Sequence, residues 1–174
     1  MGKQLVKIVK EICKEEKINF KSYSDDYILQ LEANKELMYI FGNKFPNNNA
    51  AVEQICNDKA ALSSILDFYG IPHVPHFYFS SPTATYNISS NGNWGRMKSL
   101  LKKYGVLVCK PNKGTGGNSI YKITKQRDLE SAVQKIFSIS NSICISPYYD
   151  IKKEYRIVAV RACLVSLHYQ KKEV

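Results

Sequence analysis

The sequence has no long apolar run. No segment approaches the roughly 20 apolar residues that a membrane-spanning helix requires, and Met1 to Lys10 carries charges where a signal peptide would carry its apolar stretch. We therefore expect a cytoplasmic protein without a membrane partner. The 174 residues, 44% of them hydrophobic, exclude a disordered or fibrous chain and suit one domain or two small lobes.

The sequence also lacks a C-x-x-C pair. The number of cysteines, 5, is odd, which argues against a simple disulfide framework. Each cysteine sits within an apolar stretch, and free cysteine is among the residue types most often buried. We therefore expect reduced core residues at Cys13, Cys56, Cys109, Cys144 and Cys163.

No set of side chains has the spacing of a metal site. His73 and His76 stand between prolines and have no cysteine or acidic partner at metal-ligand spacing. We expect them to form a surface pair on an extended segment. No metal ligand and no catalytic nucleophile is assigned from the sequence.

Acidic residues are scarce relative to basic ones. The chain has 15 Asp and Glu against 25 Lys and Arg, so its formal net charge is +10. This excess favours an anionic partner but does not choose among nucleotide, nucleic acid and membrane surface. The lysines are spread from Lys3 to Lys172, without a motif that interleaves them with base-stacking aromatics. We therefore do not expect nucleic acid to be the partner.

Hydrophobic periodicity predicts alternating helices and strands. A helix starts the chain, and a hairpin follows at 27–32 and 36–42. Further helices are expected at 50–69, with Asn57 or Asp58 as the cap where a second helix starts, at 97–104 and at 125–137. Strands are expected at 76–79, 106–109, 120–123, 143–146, 155–160 and 163–169. Residues 80–95 predict a mobile surface loop. This order predicts an α/β (α+β) fold.

A glycine-rich loop follows the predicted strand at 106–109. Lys110 stands at the end of that strand, and Gly114, Gly116 and Gly117 supply 3 glycines in 4 positions. The backbone N–H groups of such a loop can approach an anion closely. The loop lacks the ending of a Walker A loop and opens no helix, which excludes the dinucleotide fingerprint. Taken alone, it is equally a flexible connection between two strands.

Three motifs in sequence order resemble the ATP-grasp superfamily. They are the helix from Asp58-Lys59 to Gly70-Ile71-Pro72, the pair Lys110-Pro111 with its glycine-rich loop, and the segment from Ser146 to Glu154. The resemblance covers about residues 57–172 and is nearest to the glutathione-synthetase-like enzymes and the ribosomal-protein glutamate ligases. It implies a lead-in helix, hairpin and helix at 1–56, a first ATP-grasp lobe at 57–147, and the start of a second lobe at 148–174.

The resemblance implies that ATP contacts all three motifs. Lys59 and Lys110 would neutralise phosphate oxygens, and the loop amides would close over the triphosphate. Adenine would lie at the second-lobe hinge, and a carboxylate after the hinge would accept hydrogen bonds from ribose. The residues assigned to ATP are Lys59, Lys110, Gly114, Thr115, Gly116, Gly117, Ser146, Pro147, Tyr148 and Glu154. A solvated Lys59, and a Glu154 paired with Lys153 or Arg156, are the alternative interpretations.

The resemblance also implies an activity and a metal. ATP-grasp enzymes bind magnesium through acidic residues and an asparagine on a later strand, which we expect in a missing C-terminal part, because this chain ends at Val174. The intact protein would be an ATP-dependent carboxylate-amine ligase that acts through an acyl phosphate, and the fragment as given would be inactive. Its partners would be ATP and a small carboxylate, and open strand edges would permit a homo-oligomer. The alternative is a non-catalytic nucleotide-binding or regulatory fragment.

Overall fold

The computed structural model describes residues 3–42, 44–82, 93–114, 116–160 and 163–170. The chain divides into two compact units, Met1–Asn57 and Asp58–Val174. Every strand pairing within the described residues is antiparallel, and helices are interspersed among the strands. The predicted α+β fold is therefore confirmed.

The first unit packs a helix on a three-stranded sheet. Its elements are α1 (Lys3–Glu15), β1 (Asn19–Tyr23), β2 (Ile28–Ala33), β3 (Glu36–Phe41) and α2 (Ala50–Asn57), and its strands lie in the order β1-β2-β3. The predicted hairpin is β2 and β3, which turn at Asn34 and Lys35, both with positive φ. The core consists of Val6, Val9, Cys13, Leu29 and Ile40. Strand β1 was not predicted from the sequence.

One cysteine of this unit departs from expectation. Helix α2 has no buried residue, and Cys56 on it is exposed. The prediction of a core Cys56 is wrong because helical periodicity identifies an apolar face but not whether another element covers it. Cys13, Cys109 and Cys144 are buried as predicted. The side chain of Cys163 lies outside the described part of the structure.

The second unit is built on a four-stranded sheet. In chain order its elements are α3 (Lys59–Phe68), β4 (Phe77–Ser80), α4 (Asn93–Tyr104), β5 (Leu107–Pro111), β6 (Tyr121–Ile123), α5 (Gln126–Phe137), β7 (Ser142–Pro147), β8 (Glu154–Val160) and β9 (Cys163–Gln170). The sheet has the order β4-β7-β5-β6, and β8 pairs with β9 as a separate hairpin. Of the predicted mobile loop, residues 83–92 lie outside the described residues.

The two faces of the four-stranded sheet differ in character. One face packs against α4 and α5 in a core formed by Phe79, Met97, Leu100, Leu107, Cys109, Ile123, Leu129, Ala132, Ile136, Ile143 and Ile145. Burial of each large side chain of this kind contributes about 1.5–3 kcal/mol. Because side chains alternate along a strand, Val108 and Lys110 of β5 lie on the other face, together with Cys144 and Ser146 of β7. The side chain of Lys110 therefore lies on the sheet face opposite the core.

Helix α3 begins after Asp58, which is one of the two predicted caps. Asp58 has an extended backbone with φ −105° and ψ 106°, and its side chain accepts a hydrogen bond from the N–H of Ala61 at 2.9 Å. A carboxylate at this position pairs an N–H that the helix itself cannot pair. The helix ends before Gly70, whose φ of +64° turns the chain out of the helical path. Lys59 is thereby fixed at the first position of α3.

Candidate functional site

Lys59 and Lys110 line the same cleft. The cleft has a volume of about 390 Å³ and lies among the start of α3, the end of β5, the glycine-rich loop and the connection from α5 to β7. Its lining residues are Lys59, Lys110, Pro111, Lys113, Gly114, Gly117, Asn118, Ser119, Ile120, Ile139 and Ser140. The fold thus joins two lysines from separate motifs to the glycine-rich loop.

The side chain of Lys59 is held against this loop. Its Nζ donates to the carbonyl oxygen of Asn112 at 3.1 Å and to that of Gly114 at 3.0 Å. Lys59 is half-buried and is therefore not a freely solvated surface lysine. An ammonium has three N–H donors, so the loop carbonyls leave one donor for an anion in the cleft.

The N-terminus of α3 is paired with Asn112. The backbone N–H of Lys59 donates to the Asn112 carbonyl oxygen at 3.3 Å, and the N–H of Ala60 donates to Asn112 Oδ1 at 3.1 Å. With the N–H of Ala61 bonded to the capping Asp58, the first N–H groups of α3 all have partners. A helix cannot pair these groups internally, so Asn112 fixes where α3 starts relative to the loop.

Lys110 carries its charge in a half-buried position. Burial lowers the pKa of Lys110, and the charge of Lys59 lowers it further. Within the described residues neither Lys59 nor Lys110 forms a salt bridge. A bound anion would stabilise both ammonium groups and raise the pKa of Lys110 again. The arrangement is therefore suited to a polyanion.

The glycine-rich loop adopts backbone conformations that favour glycine. Gly114, Gly116 and Gly117 have φ values of 131°, 78° and 74°, which L side chains rarely adopt. A Cβ added at Gly114 or Gly117 would meet nothing within 4 Å, so glycine is needed for conformation rather than for space. Gly114 and Gly117 line the cleft, whereas Gly116 does not. Thr115 lies outside the described residues.

The remaining predicted site residues that the structure describes do not line this cleft. Ser146 and Pro147 are buried in β7. The N–H of Tyr148 donates to the carbonyl oxygen of Val106 at 3.0 Å, and the Lys122 ammonium lies 3.8 Å from the centroid of the Tyr148 ring. Glu154 is exposed at the start of β8. Contact of these residues with adenine or ribose stays a prediction.

Sequence reasoning assigned no site role to Asn112, nor to the lining residues Pro111, Lys113, Asn118, Ser119, Ile120, Ile139 and Ser140. Asn112 follows Lys110-Pro111 directly, and a polar residue at the end of a buried strand was the available signal. Ile139 and Ser140 line the cleft from the connection between α5 and β7. They carried no signal in the sequence, because only the tertiary fold brings that connection to the loop.

His73 and His76 are not the surface pair that the sequence predicts. The side chain of His73 is 12% exposed, and its Nε2 lies 2.8 Å from Ser63 Oγ on α3. The same Oγ accepts a hydrogen bond from the backbone N–H of His76 at 3.0 Å. The prolines do keep the segment extended, but α3 covers it, which is why the expectation of exposure is wrong.

His76 has an unusual environment. Its Nδ1 lies 2.7 Å from the carbonyl oxygen of Val74, so Nδ1 carries the proton, and its Nε2 is buried without a hydrogen-bond partner in the described part of the chain. Burial lowers the pKa of His76, and the charge of Lys110 lowers it further. The ring is therefore neutral at pH 7.

The described residues offer no group of three or more His, Cys, Asp or Glu side chains that could hold a metal ion. The magnesium implied by the family resemblance therefore has no fitting ligand set in this part of the chain, and we assign no chemical step to it. Within the same described ranges, no helix combines the length and apolar character needed to span a bilayer.

Solved structures of ligases share the fold of this chain. The D-alanine-D-alanine ligase from Coxiella burnetii gives a TM-score of 0.51 at 19% identity, over 63% of this chain and 30% of that one. The Bacillus anthracis D-alanine-D-alanine ligase complexed with ATP gives 0.51 at 19% identity, over 68% and 36% of the two chains. D-alanyl-alanine synthetase A from Vibrio cholerae gives 0.50 at 15% identity, over 67% and 32%.

These similarities establish the fold. No family model matches the chain, and no curated protein matches it. The chain spans about a third of the length of the ligases it resembles. The fold that the sequence resemblance implies is therefore confirmed.

Proposed function

We propose that the second unit binds ATP, with the triphosphate in the cleft of Lys59 and Lys110, as the nucleotide-binding part of an ATP-dependent carboxylate-amine ligase. The observation that carries this proposal is the meeting of two lysines, from separate sequence motifs, at one glycine-rich loop. A solved ligase with the same fold was determined as a complex with ATP. ATP as the substrate also fits a cytoplasmic location, which we include in the proposal.

The cleft has the chemistry that a triphosphate requires. Ammonium groups and backbone N–H groups are strong partners of phosphate oxygens. The cleft contains Lys59, Lys110 and Lys113 as cations and no acidic side chain among its lining residues. Its volume of about 390 Å³ lies within the range of about 300–1,000 Å³ that small-molecule sites usually have.

The proposed reaction has two covalent steps. A substrate carboxylate oxygen attacks the γ-phosphorus of ATP, the bond to the β–γ bridging oxygen breaks, and ADP leaves. An amine then attacks the acyl carbon of the acyl phosphate, inorganic phosphate leaves, and the amine loses a proton as the amide forms. Division into two steps lowers each barrier, and phosphoryl transfer depends on positioning and charge neutralisation. Lys59 and Lys110 would supply this neutralisation on the protein side.

Isothermal titration calorimetry with ATP tests the binding step. We expect the unchanged chain to bind, and we expect Lys59→Met and Lys110→Met to lose most of the affinity because each removes one ammonium from the cleft. Lys98→Met is the matched control, since it removes the same charge from an exposed position on α4. Equal affinities in all four proteins would contradict the proposed site.

Release of ADP separates a ligase from a non-catalytic binding module. The chain is incubated with ATP, magnesium and panels of small carboxylates and amines, and ADP is measured against a sample without carboxylate. Carboxylate-dependent ADP release supports the ligase. ATP binding without ADP release in any panel shows that this chain alone is not catalytic, which is the outcome expected of the fragment.

A further inference from the structure

We propose that Asn112 is a positioning residue that sets Lys59 against the glycine-rich loop and so determines how strongly the cleft holds a triphosphate. The proposal rests on the proposed function of ATP binding. Asn112 touches neither ATP nor reacting atoms in this view; it acts through Lys59.

Asn112 connects three parts of the second unit. Its backbone N–H donates to the carbonyl oxygen of Ser142 in β7 at 3.2 Å, which continues the sheet pairing by one residue. Its own carbonyl oxygen accepts from both the backbone N–H and the Nζ of Lys59, at 3.3 Å and 3.1 Å. Its Oδ1 accepts from the N–H of Ala60 at 3.1 Å. The sheet, α3 and the loop are therefore tied at one residue.

The side chain of Asn112 is the part of this connection that a substitution can remove. It is 1% exposed, so water cannot replace Oδ1 as the partner of the Ala60 N–H. Without that acceptor, a buried donor at the helix start is left unpaired, which is unfavourable. We expect the first turn of α3 to move away from residue 112, which would take the Lys59 ammonium from its two loop carbonyls.

Asparagine suits this position better than aspartate. Since Oδ1 must face Ala60, the orientation of the amide is fixed, and Nδ2 is left buried without a partner in the described part of the chain. Aspartate would still accept from Ala60, but it would add a negative charge beside Lys59. That carboxylate would compete with a phosphate for the same ammonium. A neutral acceptor pairs the helix start and leaves the cleft positive.

The test is a double-mutant cycle on ATP affinity, measured by calorimetry at constant salt. The variants are Asn112→Leu, Lys59→Met and the double variant, with Asn93→Ala as the control. Asn93 donates its side-chain N–H to the carbonyl oxygen of Ser80 at 2.8 Å and lines no part of the cleft. We expect Asn112→Leu to weaken ATP binding by about tenfold, as for the loss of one charge-assisted contact, and the control to bind as the unchanged chain does.

The cycle distinguishes positioning from a general structural effect. If Asn112 acts through Lys59, the double variant binds ATP no more weakly than Lys59→Met alone, whereas Asn112→Leu combined with Lys110→Met is weaker than either single variant. Asn112→Asp provides a second measurement that does not depend on the folding of the leucine variant. It should match the unchanged chain in urea unfolding more closely than the leucine variant does, yet bind ATP weakly.

The possible failures are separable. If the unchanged chain does not bind ATP, the proposed function and the role of Asn112 are both overturned. A second outcome is that the unchanged chain binds ATP and Lys59→Met does not bind it, while Asn112→Leu and Asn112→Asp keep the affinity of the unchanged chain. In that case only the role of Asn112 is overturned. The same conclusion follows if the effects of Asn112→Leu and Lys59→Met multiply.

Discussion

Lys110 and Cys144 lie opposite each other in the antiparallel pairing of β5 and β7. Both side chains therefore share the sheet face that is turned away from the core. Burial raises the pKa of Cys144 to about 11 and lowers the pKa of Lys110. At neutral pH the pair consists of a neutral thiol and an ammonium, so the thiol offers Lys110 no counter-charge.

This environment predicts opposite effects of Lys110→Met on stability and on binding. Because burial lowers the pKa of Lys110, the folded state disfavours its charge, and the ligand-free variant should be more stable. Because Lys110 is partly exposed, we expect the free energy of unfolding to increase by no more than about 1 kcal/mol. This increase corresponds to a rise in Tm of about 2–4 °C.

Thermal unfolding without and with ATP measures both effects. In the unchanged chain, ATP at 100 times its Kd should add about 2.7 kcal/mol of stability, and Lys110→Met should lose most of this gain. Lys98→Met should leave both values unchanged. A lower ligand-free Tm for Lys110→Met would show that Lys110 stabilises the fold rather than serving the cleft.

Gly114 and Gly95 test whether the loop requires glycine for its backbone conformation or for lack of room for a side chain. Neither Gly114 nor Gly95 has any atom within 4 Å of an added Cβ, but Gly114 has a φ of +131° and Gly95 lies in α4. Gly114→Ala should cost about 1–3 kcal/mol or force the loop to rearrange, and ATP affinity should fall. Gly95→Ala should stabilise by about 0.5–1 kcal/mol. Urea unfolding and calorimetry check the pair, and equal effects at both positions would contradict the strained loop.

Thiol reactivity should separate the cysteines by burial. Cys56 is exposed, whereas burial raises the pKa of Cys109 to about 12 and that of Cys144 to about 11. Since the thiolate is the reactive form, iodoacetamide at pH 8 should modify Cys56 in the folded protein and leave Cys109 and Cys144 unmodified until denaturant is added. Peptide mass mapping reads the result. Rapid modification of Cys144 without denaturant would show that its strand opens.

The same burial predicts a loss of stability in alkali. The pKa values of Cys109 and Cys144 are raised from an ordinary value of 9.0, so the unfolded chain releases these protons first. Their contribution is therefore complete below about pH 9 and declines as the pH rises towards the folded values, by up to about 1.4 kcal/mol per pH unit for each thiol. Urea unfolding at pH 8 to 10 should show a smaller decline in Cys144→Ala than in the unchanged chain. An equal decline would indicate that the Cys144 thiol is not the group responsible.

His76 provides a reporter of charge near the cleft. Burial, followed by the charge of Lys110, lowers its pKa from the ordinary 6.5. Its contribution to stability is therefore present above pH 6.5 and is lost as the pH falls through the folded pKa. An NMR titration of the imidazole should give a midpoint below 6.5, and Lys110→Met should raise that midpoint. A midpoint unaffected by Lys110→Met would place the two charges too far apart to interact.

Periodicity made the well-packed elements predictable. Helix α5 and strand β5 bury apolar residues in one core, and the helical period of α5 and the continuous apolar run of β5 both indicate such burial. Strand β1 shows the opposite case, because most of its side chains are exposed and its polar sequence carries little sign of a strand. The exposure of Cys56 likewise depends on whether another element packs against α2, and the local sequence pattern does not indicate this.

The parts of the candidate site that could be predicted are those in which the residue type itself indicates the role. The glycines of the loop and Lys110 at a strand end are visible as types and positions. Asn112 was not singled out, because its importance lies in pairing with Lys59 and Ala60, which are distant in the sequence. His73 and His76 were misjudged for the same reason, since their cover comes from Ser63.

The pairing of the α3 N-terminus with Asp58 and Asn112 bears on selectivity. The leading amides of α3 are committed within the protein, so an incoming phosphate meets ammonium groups and a loop rather than a preset ring of helix amides. Ammonium groups act as point charges and set little geometric demand on their partner. Inorganic pyrophosphate and tripolyphosphate should accordingly displace the nucleotide. Any selectivity for adenosine over other nucleosides must therefore come from contacts with the base rather than with the phosphates.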